Sequence, residues 1–238
     1  MKSRPLLSPR RLAMGALAAL MLAGGTVLRA DPPARVPGID VSHHQGRINW
    51  RAVKRDGIHF AFIKATEGGD WTDPHFQRNW ENAREAGVIR GAYHYYRPQT
   101  HSAVQARHFL RRVNLAKGDL PPVLDIEATD GVSNEVLRRG VRNWLRIVEE
   151  ETGKRPILYV SRRFAPRLRD DFGDYSLWIA DYRGAGPSVP GGWRRWTFWQ
   201  HSERGRVDGI APRVDRTWFR GTRADLLSFI ERHGRRGG

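Results

Sequence analysis

The chain reads as a single α/β domain, a TIM-barrel-like (β/α) barrel, on three observations. Strand-like and helix-like segments alternate from Gly38 to about Arg232. The strand-like segments are nearly continuous apolar runs, the pattern of a parallel sheet covered on both faces. Seven such runs fall within about 200 residues, enough to close a barrel. A doubly wound open sheet shares the alternation, but no glycine-rich phosphate loop follows any of the runs.

Gly38–Val41 opens the domain as a short strand, and a helical pattern through Trp50 and Val53 stops near Asp56-Gly57. Ile58–Ala65 is the second strand. Pro74–Ala86 carries Phe76, Trp80 and Ala83 at helical spacing, with Gly87 placed to cap its C-terminus. Val88–Tyr96 is the third strand, Thr100–Val113 an amphipathic helix with a capping residue at its start, and Val123–Glu127 the fourth strand. Ser133 caps a long helix that buries Val136, Leu137, Val141, Trp144, Leu145 and Val148 and ends at Gly153. Pro156–Val160, Leu177–Ala180 and Trp196–Gln200 complete the strands. Ala224–Arg232 is the last helix, and residues 233–238 form a basic tail. No internal repeat is evident.

The N-terminus has a different character. Lys2, Arg4, Arg10 and Arg11 precede an uncharged apolar run from Leu12 to Leu28, then Arg29-Ala30-Asp31-Pro32-Pro33. That order is expected of a signal peptide over residues 1–30. The run is near the lower limit for a spanning helix, and Leu28-Arg29-Ala30 matches a small-residue cleavage site poorly, so residues 12–28 read also as an uncleaved membrane anchor. Arg10-Arg11 allows a twin-arginine export signal. Each alternative places the domain outside the cytoplasm, extracellular or periplasmic. Residues 31–37 are a proline-rich linker to a domain over residues 38–232.

The chain has no cysteine, hence no disulfide and no thiolate nucleophile or metal ligand. Its formal charge is +16. Five basic and no acidic residues lie in residues 1–30, so the remainder carries 36 basic against 25 acidic residues, a net +11. Such a balance calls for an anionic partner. Nucleic acid is disfavoured, because the basic residues are scattered, no nucleic-acid-binding motif occurs and the N-terminus is an export signal. An anionic cell-wall polymer fits both features.

The most informative stretch is Pro122-Val-Leu-Asp-Ile-Glu-Ala128, which carries Asp125 and Glu127 one residue apart. On a strand, residues i and i+2 share a face, so both carboxyls project into the same space. Proximity pushes their pKa values apart, so that one carboxyl can donate a proton near neutral pH while the other stays charged. A lone Asp-x-Glu is equally the mark of a strand end facing solvent. Asp40, Asp181 and Asp215 also stand at or just beyond expected strand carboxyl ends, in Gly38-Ile-Asp-Val-Ser-His-His-Gln-Gly46, after Leu177-Trp-Ile-Ala180, and in Pro212-Arg-Val-Asp-Arg-Thr-Trp-Phe219. Singly, each is a helix cap or an ion-pair partner. Together they converge on one barrel mouth, where ligands bind. Tyr93, Tyr95, Tyr159, Trp178, Tyr182 and the tryptophans at 193, 196 and 199 cluster near the same ends. Most aromatic residues serve the core, but flat rings also suit the apolar faces of sugars.

The ordered blocks Asp-Val-Ser-His-His-Gln-Gly from Asp40, Lys-Ala-Thr-Glu-Gly from Lys64, Gly-Ala-Tyr-His-Tyr from Gly91, Leu-Asp-Ile-Glu from Leu124, Trp-Ile-Ala-Asp-Tyr from Trp178, Trp-Gln-His-Ser from Trp199 and Val-Asp-Arg-Thr-Trp-Phe from Val214 resemble the glycoside hydrolase family 25 lysozymes. The resemblance spans about Gly38 to Phe219. It implies a modified, flattened (β/α) barrel and an N-acetylmuramidase acting on peptidoglycan without a cofactor or metal. By the same resemblance Glu127 matches the proton donor, and Asp40, Asp125 and Asp215 the other acids of the active centre. Lys64, Tyr93, Tyr159 and Gln200 match positions lining the sugar groove, and Asp181 is carried as a substrate-binding residue. Two positions depart from the pattern: Thr217 stands where Asn is usual, and His44 where an aromatic is more common.

Spacing bears on mechanism. Glycosidases that use two opposed carboxyls hold them on opposite sides of the bond, about 5–5.5 Å apart for retention and 6.5–9.5 Å for inversion. Two acids on one strand lie on the same side, which favours substrate assistance: Glu127 protonates the glycosidic oxygen, and Asp125 orients the sugar's own 2-acetamido group. Asp40 and Asp215 would hold that sugar or raise Glu127 by like-charge repulsion. Inversion with Asp40 as base is the alternative, and a non-catalytic peptidoglycan-binding module the alternative function. His43 and His44, if on a strand, point to opposite faces and do not share a metal. Nothing in the sequence marks an oligomer, so a monomer is expected.

Overall fold

The computed structural model describes residues 1, 34–169 and 171–233. The expected signal or anchor segment and tail residues 234–238 lie outside the described residues. Among the described residues, no helix is long and apolar enough to cross a membrane.

Eight strands close a barrel: β1 (Arg35–Val41), β2 (Phe60–Glu67), β4 (Ile89–Tyr95), β5 (Val123–Ile126), β6 (Ile157–Ser161), β7 (Ser176–Ala180), β8 (Phe198–Gly205) and β9 (Val214–Arg220). A two-residue strand, β3 (Trp71–Thr72), is appended to β2. Around the sheet the order is β1-β9-β8-β7-β6-β5-β4-β2, and β1 pairs with β2 to complete the ring. The helices are α1 (Trp50–Arg55), α2 (Phe76–Glu85), α3 (Ser102–Arg112), α4 (Asn134–Thr152) and α5 (Arg223–His233).

The period-2 alternation of the strands divides the apolar residues into two cores. Phe60, Phe62, Trp178, Phe198 and Phe219 fill the barrel interior, with Phe62 stacked on Trp178 at 4.3 Å between ring centroids. Phe229 of α5 joins them, 5.6 Å from Phe198. Alternate residues face outward to the helices, where Trp144 and Phe109 lie 5.4 Å apart between α4 and α3. The α4 ends follow the sequence: Ser133 accepts from the backbone N–H of Val136, and Gly153 adopts the left-handed conformation at the C-cap.

Several details differ from expectation. Strand β9 was not foreseen as a strand, and it runs antiparallel to both β1 and β8, so the barrel is not purely parallel. Its inward residues Asp215, which lines the cleft, and Thr217, which is buried against Asp40, are polar, and this hides the apolar pattern of a barrel strand. β1 begins at Arg35, inside the stretch assigned to the linker, and α5 reaches His233. α3 begins at Ser102, with the ring of His101 accepting from the backbone N–H of Ala103. Val136, expected in the core, is 41% exposed, since it lies in the first turn of α4 beyond the sheet-facing stripe. His43 and His44 lie in a 3₁₀ turn, not a strand, with their rings 4.0 Å apart, so the opposite-face reasoning does not apply to them. His43 instead meets Asp73, Nδ1 to Oδ2 at 2.9 Å.

Gly38 shows how tightly the interior is filled. A Cβ there would come within 2.3–2.5 Å of the Phe60 ring. Gly38→Ala is expected to destabilise the domain by about 1–3 kcal/mol, the usual effect of overpacking, as a lower midpoint in denaturant with an unchanged slope.

Candidate active site

The carboxyl ends of the parallel strands surround a polar cleft of about 240 Å³. Asp40 comes from β1, Lys64 from β2, Tyr93 and Tyr95 from β4, Asp125 from β5, Tyr159 from β6 and Gln200 from β8. Glu127 lies one residue beyond the end of β5, so Asp125 is held rigidly by strand pairing while Glu127 stands at the solvent-exposed opening. Asp215 lies near the amino end of β9 and not at a carboxyl end as expected, and it reaches the same rim because β9 runs the other way: Asp215 is directly opposite Asp40 in the β1–β9 register.

A single amide ties the far side of the cleft together. Gln200 Nε2 donates to both carboxylate oxygens of Asp40 at 3.0 Å and to Asp215 Oδ2 at 3.3 Å, while its Oε1 accepts from the hydroxyls of Tyr159 at 2.9 Å and Tyr182 at 2.7 Å. The hydroxyl of Thr217 donates to Asp40 Oδ2 at 3.4 Å. On the near side, Lys64 Nζ donates to Glu67 at 2.8 Å and lies about 5 Å from the ring centroids of Trp71 and Tyr95. Asp125 Oδ1 is buried and, among the described residues, has no hydrogen-bond partner.

The structure therefore gathers eight of the nine residues singled out from sequence. Asp181 is the exception. It is 5% exposed and accepts from the backbone N–H groups of Arg183 and Ser188, pairing also with Arg162 and Arg183, so it pins the loop after β7 instead of facing the cleft. The tryptophans at 193, 196 and 199 belong to the outer core. Ser42 and His44 were missed as cleft residues. For Ser42 the signal was the i, i+2 repeat that also pairs Tyr93 with Tyr95.

The model of the glycosyl hydrolases family 25 matches residues 39–210. The chain belongs to that family. It is 46% identical over 210 residues to the uncharacterized protein YegX of Escherichia coli (strain K12), covering 86% of this chain and 76% of that one. It is 38% identical over 207 residues to Lysozyme M1 of Streptomyces globisporus, covering 81% and 70%. Its fold is similar to the bacterial lysozyme from Streptomyces coelicolor, with a TM-score of 0.79, 36% identity and coverage of 83% of this chain and 98% of that one. The protein is a glycoside hydrolase, and similarity to lysozymes supports peptidoglycan as the polymer it cuts.

In this family 25 hydrolase the cleft acids resist ionisation. Burial raises Asp40 well above the usual carboxylate range, and the charge of Asp215 raises it further. Asp215 is itself raised by burial, while its contact with Asp40 pulls it down. Burial, then Glu127, raises Asp125 well above its ordinary value, and Lys64 opposes both. Burial raises Glu127 as well, against Tyr159 and Lys64. Asp40 and Asp215 act on one another, Glu127 owes its own rise first to burial, and the expected like-charge interaction shows as the rise that Glu127 causes in Asp215.

A carboxyl with a raised folded-state pKa holds a proton that the unfolded chain has released. Its contribution to stability is complete below the unfolded value, about 3.9 for Asp, and is lost as pH rises through the folded value. Asp125→Asn is therefore expected to raise the melting temperature at pH 7, by about 2–4 °C if it recovers about 1 kcal/mol, and to leave it unraised at pH 3. Thermal melts at the two pH values check this.

Proposed function

We propose that this family 25 hydrolase is an exported muramidase that cleaves the β-1,4 bond between N-acetylmuramic acid and N-acetylglucosamine in peptidoglycan, by substrate assistance with Glu127 as general acid. The partnerless Asp125 Oδ1 beside Glu127 carries the mechanistic part. A buried carboxylate oxygen without a donor is costly, and the N–H of a 2-acetamido group supplies the missing donor. Similarity to Lysozyme M1 and, at 30% identity over 186 residues, to the N,O-diacetylmuramidase of Chalaropsis sp supports the choice of bond.

Burial raises both Asp125 and Glu127, so this coupled pair holds a proton more readily than free carboxyls do. Binding of the acetamido sugar directs that proton to Glu127. Its N–H stabilises the Asp125 carboxylate, and the glycan covers the opening and desolvates Glu127, so the proton is held where it is needed. Glu127 then transfers it to the glycosidic oxygen as the C1–O bond breaks, and the acetamido carbonyl oxygen bonds to C1. Asp125 stabilises the positive charge that develops on the amide nitrogen. Water next attacks C1, gives its proton to the Glu127 carboxylate and releases the acetamido group, with net retention. Asp40 is poorly suited to be the base of an inverting reaction, because Gln200 occupies both its oxygens. Residues 12–28 act as the h-region of the export signal or as an anchor that leaves a monomeric domain facing the wall.

Purified peptidoglycan digested with the wild-type chain is expected to show new N-acetylmuramic acid reducing ends, and Glu127→Gln to lower kcat by about 10²–10⁴-fold. New N-acetylglucosamine ends would identify a glucosaminidase, and an unimpaired variant would remove Glu127 as the acid. The kcat–pH profile is expected to be bell-shaped, with its basic limb above the ordinary Glu range because Glu127 is raised, and with both limbs belonging to the coupled pair.

A further inference from the structure

The contacts of Asp181 outline a second groove beside the cleft. Ala180 belongs to the inner core, so the next residue, Asp181, turns to the outside of the barrel rim. Arg162 follows β6 directly and its backbone N–H donates to the Ala180 carbonyl, which sets the two residues side by side where β6 and β7 end. Asp181 accepts from the backbone N–H of Ser188 at 3.1 Å and lies 3.8 Å from Arg162. The segment 188–191 thereby faces the 3₁₀ turn Ala165–Arg167, and a groove of about 500 Å³ lies between them.

Its lining is apolar and cationic. Pro166 and Val189 give it exposed apolar surface. Arg162 and Arg169 are its charged residues, and no acid lines it. Arg162 has only the long contact with Asp181, and among the described residues no ion pair holds Arg169. Arg169 also has a left-handed backbone, φ +53, so its side chain is carried there against a steric cost that glycine would avoid. Two cations without acidic partners in the groove call for an anionic ligand.

The cleft is close by. Tyr159, which lines it, precedes Arg162 by three residues, roughly 10 Å at the rise of a strand. A ligand chain of three residues, at about 3.3–3.6 Å each, spans that distance. Peptidoglycan carries such a chain: a short stem peptide, with alanine methyls and free carboxylates, attached to the lactyl group of its muramic acid.

We infer that the groove over the ends of β6 and β7 binds the stem peptide of peptidoglycan, with Arg162 and Arg169 taking its carboxylates and Pro166 and Val189 its methyl groups. This rests on peptidoglycan being the substrate. Asp181 shapes the groove by holding Ser188 and Arg162 in place.

The test is kcat/KM of the full chain on two glycans, strands that keep their stem peptides and the same strands stripped of them by an amidase that cuts at the lactyl group. An exposed arginine–carboxylate contact is worth up to about five-fold, so wild type should prefer the stem-bearing strands by roughly ten-fold, mainly through KM. Arg162→Gln combined with Arg169→Gln, checked for folding by thermal melt, should bring that preference to within about two-fold of unity. Arg169→Glu should lower it more than Arg169→Gln does. Wild type acting on strands whose stem carboxylates have been converted to amides should show the same loss, which gives the test without any variant. Equal kcat/KM of wild type on stem-bearing and stripped strands, an undiminished preference after amidation, or a folded double variant whose rates fall equally on both strands would each overturn the proposal, the last by showing an effect on the glycan site itself. No cleavage of either strand by wild type would instead break the reading of peptidoglycan as the substrate.

Discussion

The mouth of this barrel depends on one closure, the insertion of β9 between β1 and β8 in the opposite direction to both. Parallel strands deliver only their last residues to the rim. An antiparallel strand delivers its first, which is why Asp215, near the start of β9, lies across from Asp40, near the end of β1. The same closure sets Thr217 beneath Asp40 and opens the space that Gln200 fills. β8 and β9 follow one another as an antiparallel pair with no helix between them, and α5 is released to send Phe229 into the barrel interior.

That closure concentrates carboxyls in a region with little water, in a chain that is otherwise strongly basic. Scattered surface arginines do not relieve the strain, because they are screened by solvent and lie away from the cleft. Relief is local: the Gln200 amide for Asp40 and Asp215, and the Lys64 ammonium, itself held by Glu67 and two aromatic rings, for Asp125 and Glu127. It is incomplete, since all four acids remain shifted toward the protonated form. The site trades stability at neutral pH for acids that can hold and move a proton there.

Much of this was legible in the sequence, for identifiable reasons. The apolar strands and amphipathic helices follow from periodicity, and the ends of α4 from Ser133 and Gly153. The acids at 125 and 127 stood out as a pair in an apolar run, and those at 40 and 215 through the ordered blocks that carry them. Strand β9 was hidden because its inward face carries function in place of apolar side chains. Asp181 misled because a strand-end acid that pins a loop looks, in one dimension, like one that faces a ligand. The 3₁₀ turn at His43–Gln45 was also out of reach, since its Ser42–Gln45 capping box occupies only four residues. The hydrogen bonds of Gln200 join residues from β1, β6, β8 and β9, and no local pattern encodes contacts of that kind.

The central claim is that the substrate's own acetamido group, oriented by Asp125, performs the displacement that Glu127 assists. Turnover of a defined muramyl oligosaccharide, compared with the same compound carrying a free 2-amino group on the residue whose bond is cut, tests it most directly. Loss of cleavage of the 2-amino compound while it still binds the cleft is the predicted result. Equal kcat on the two compounds would contradict it, because the nucleophile would then have to come from the protein or from water.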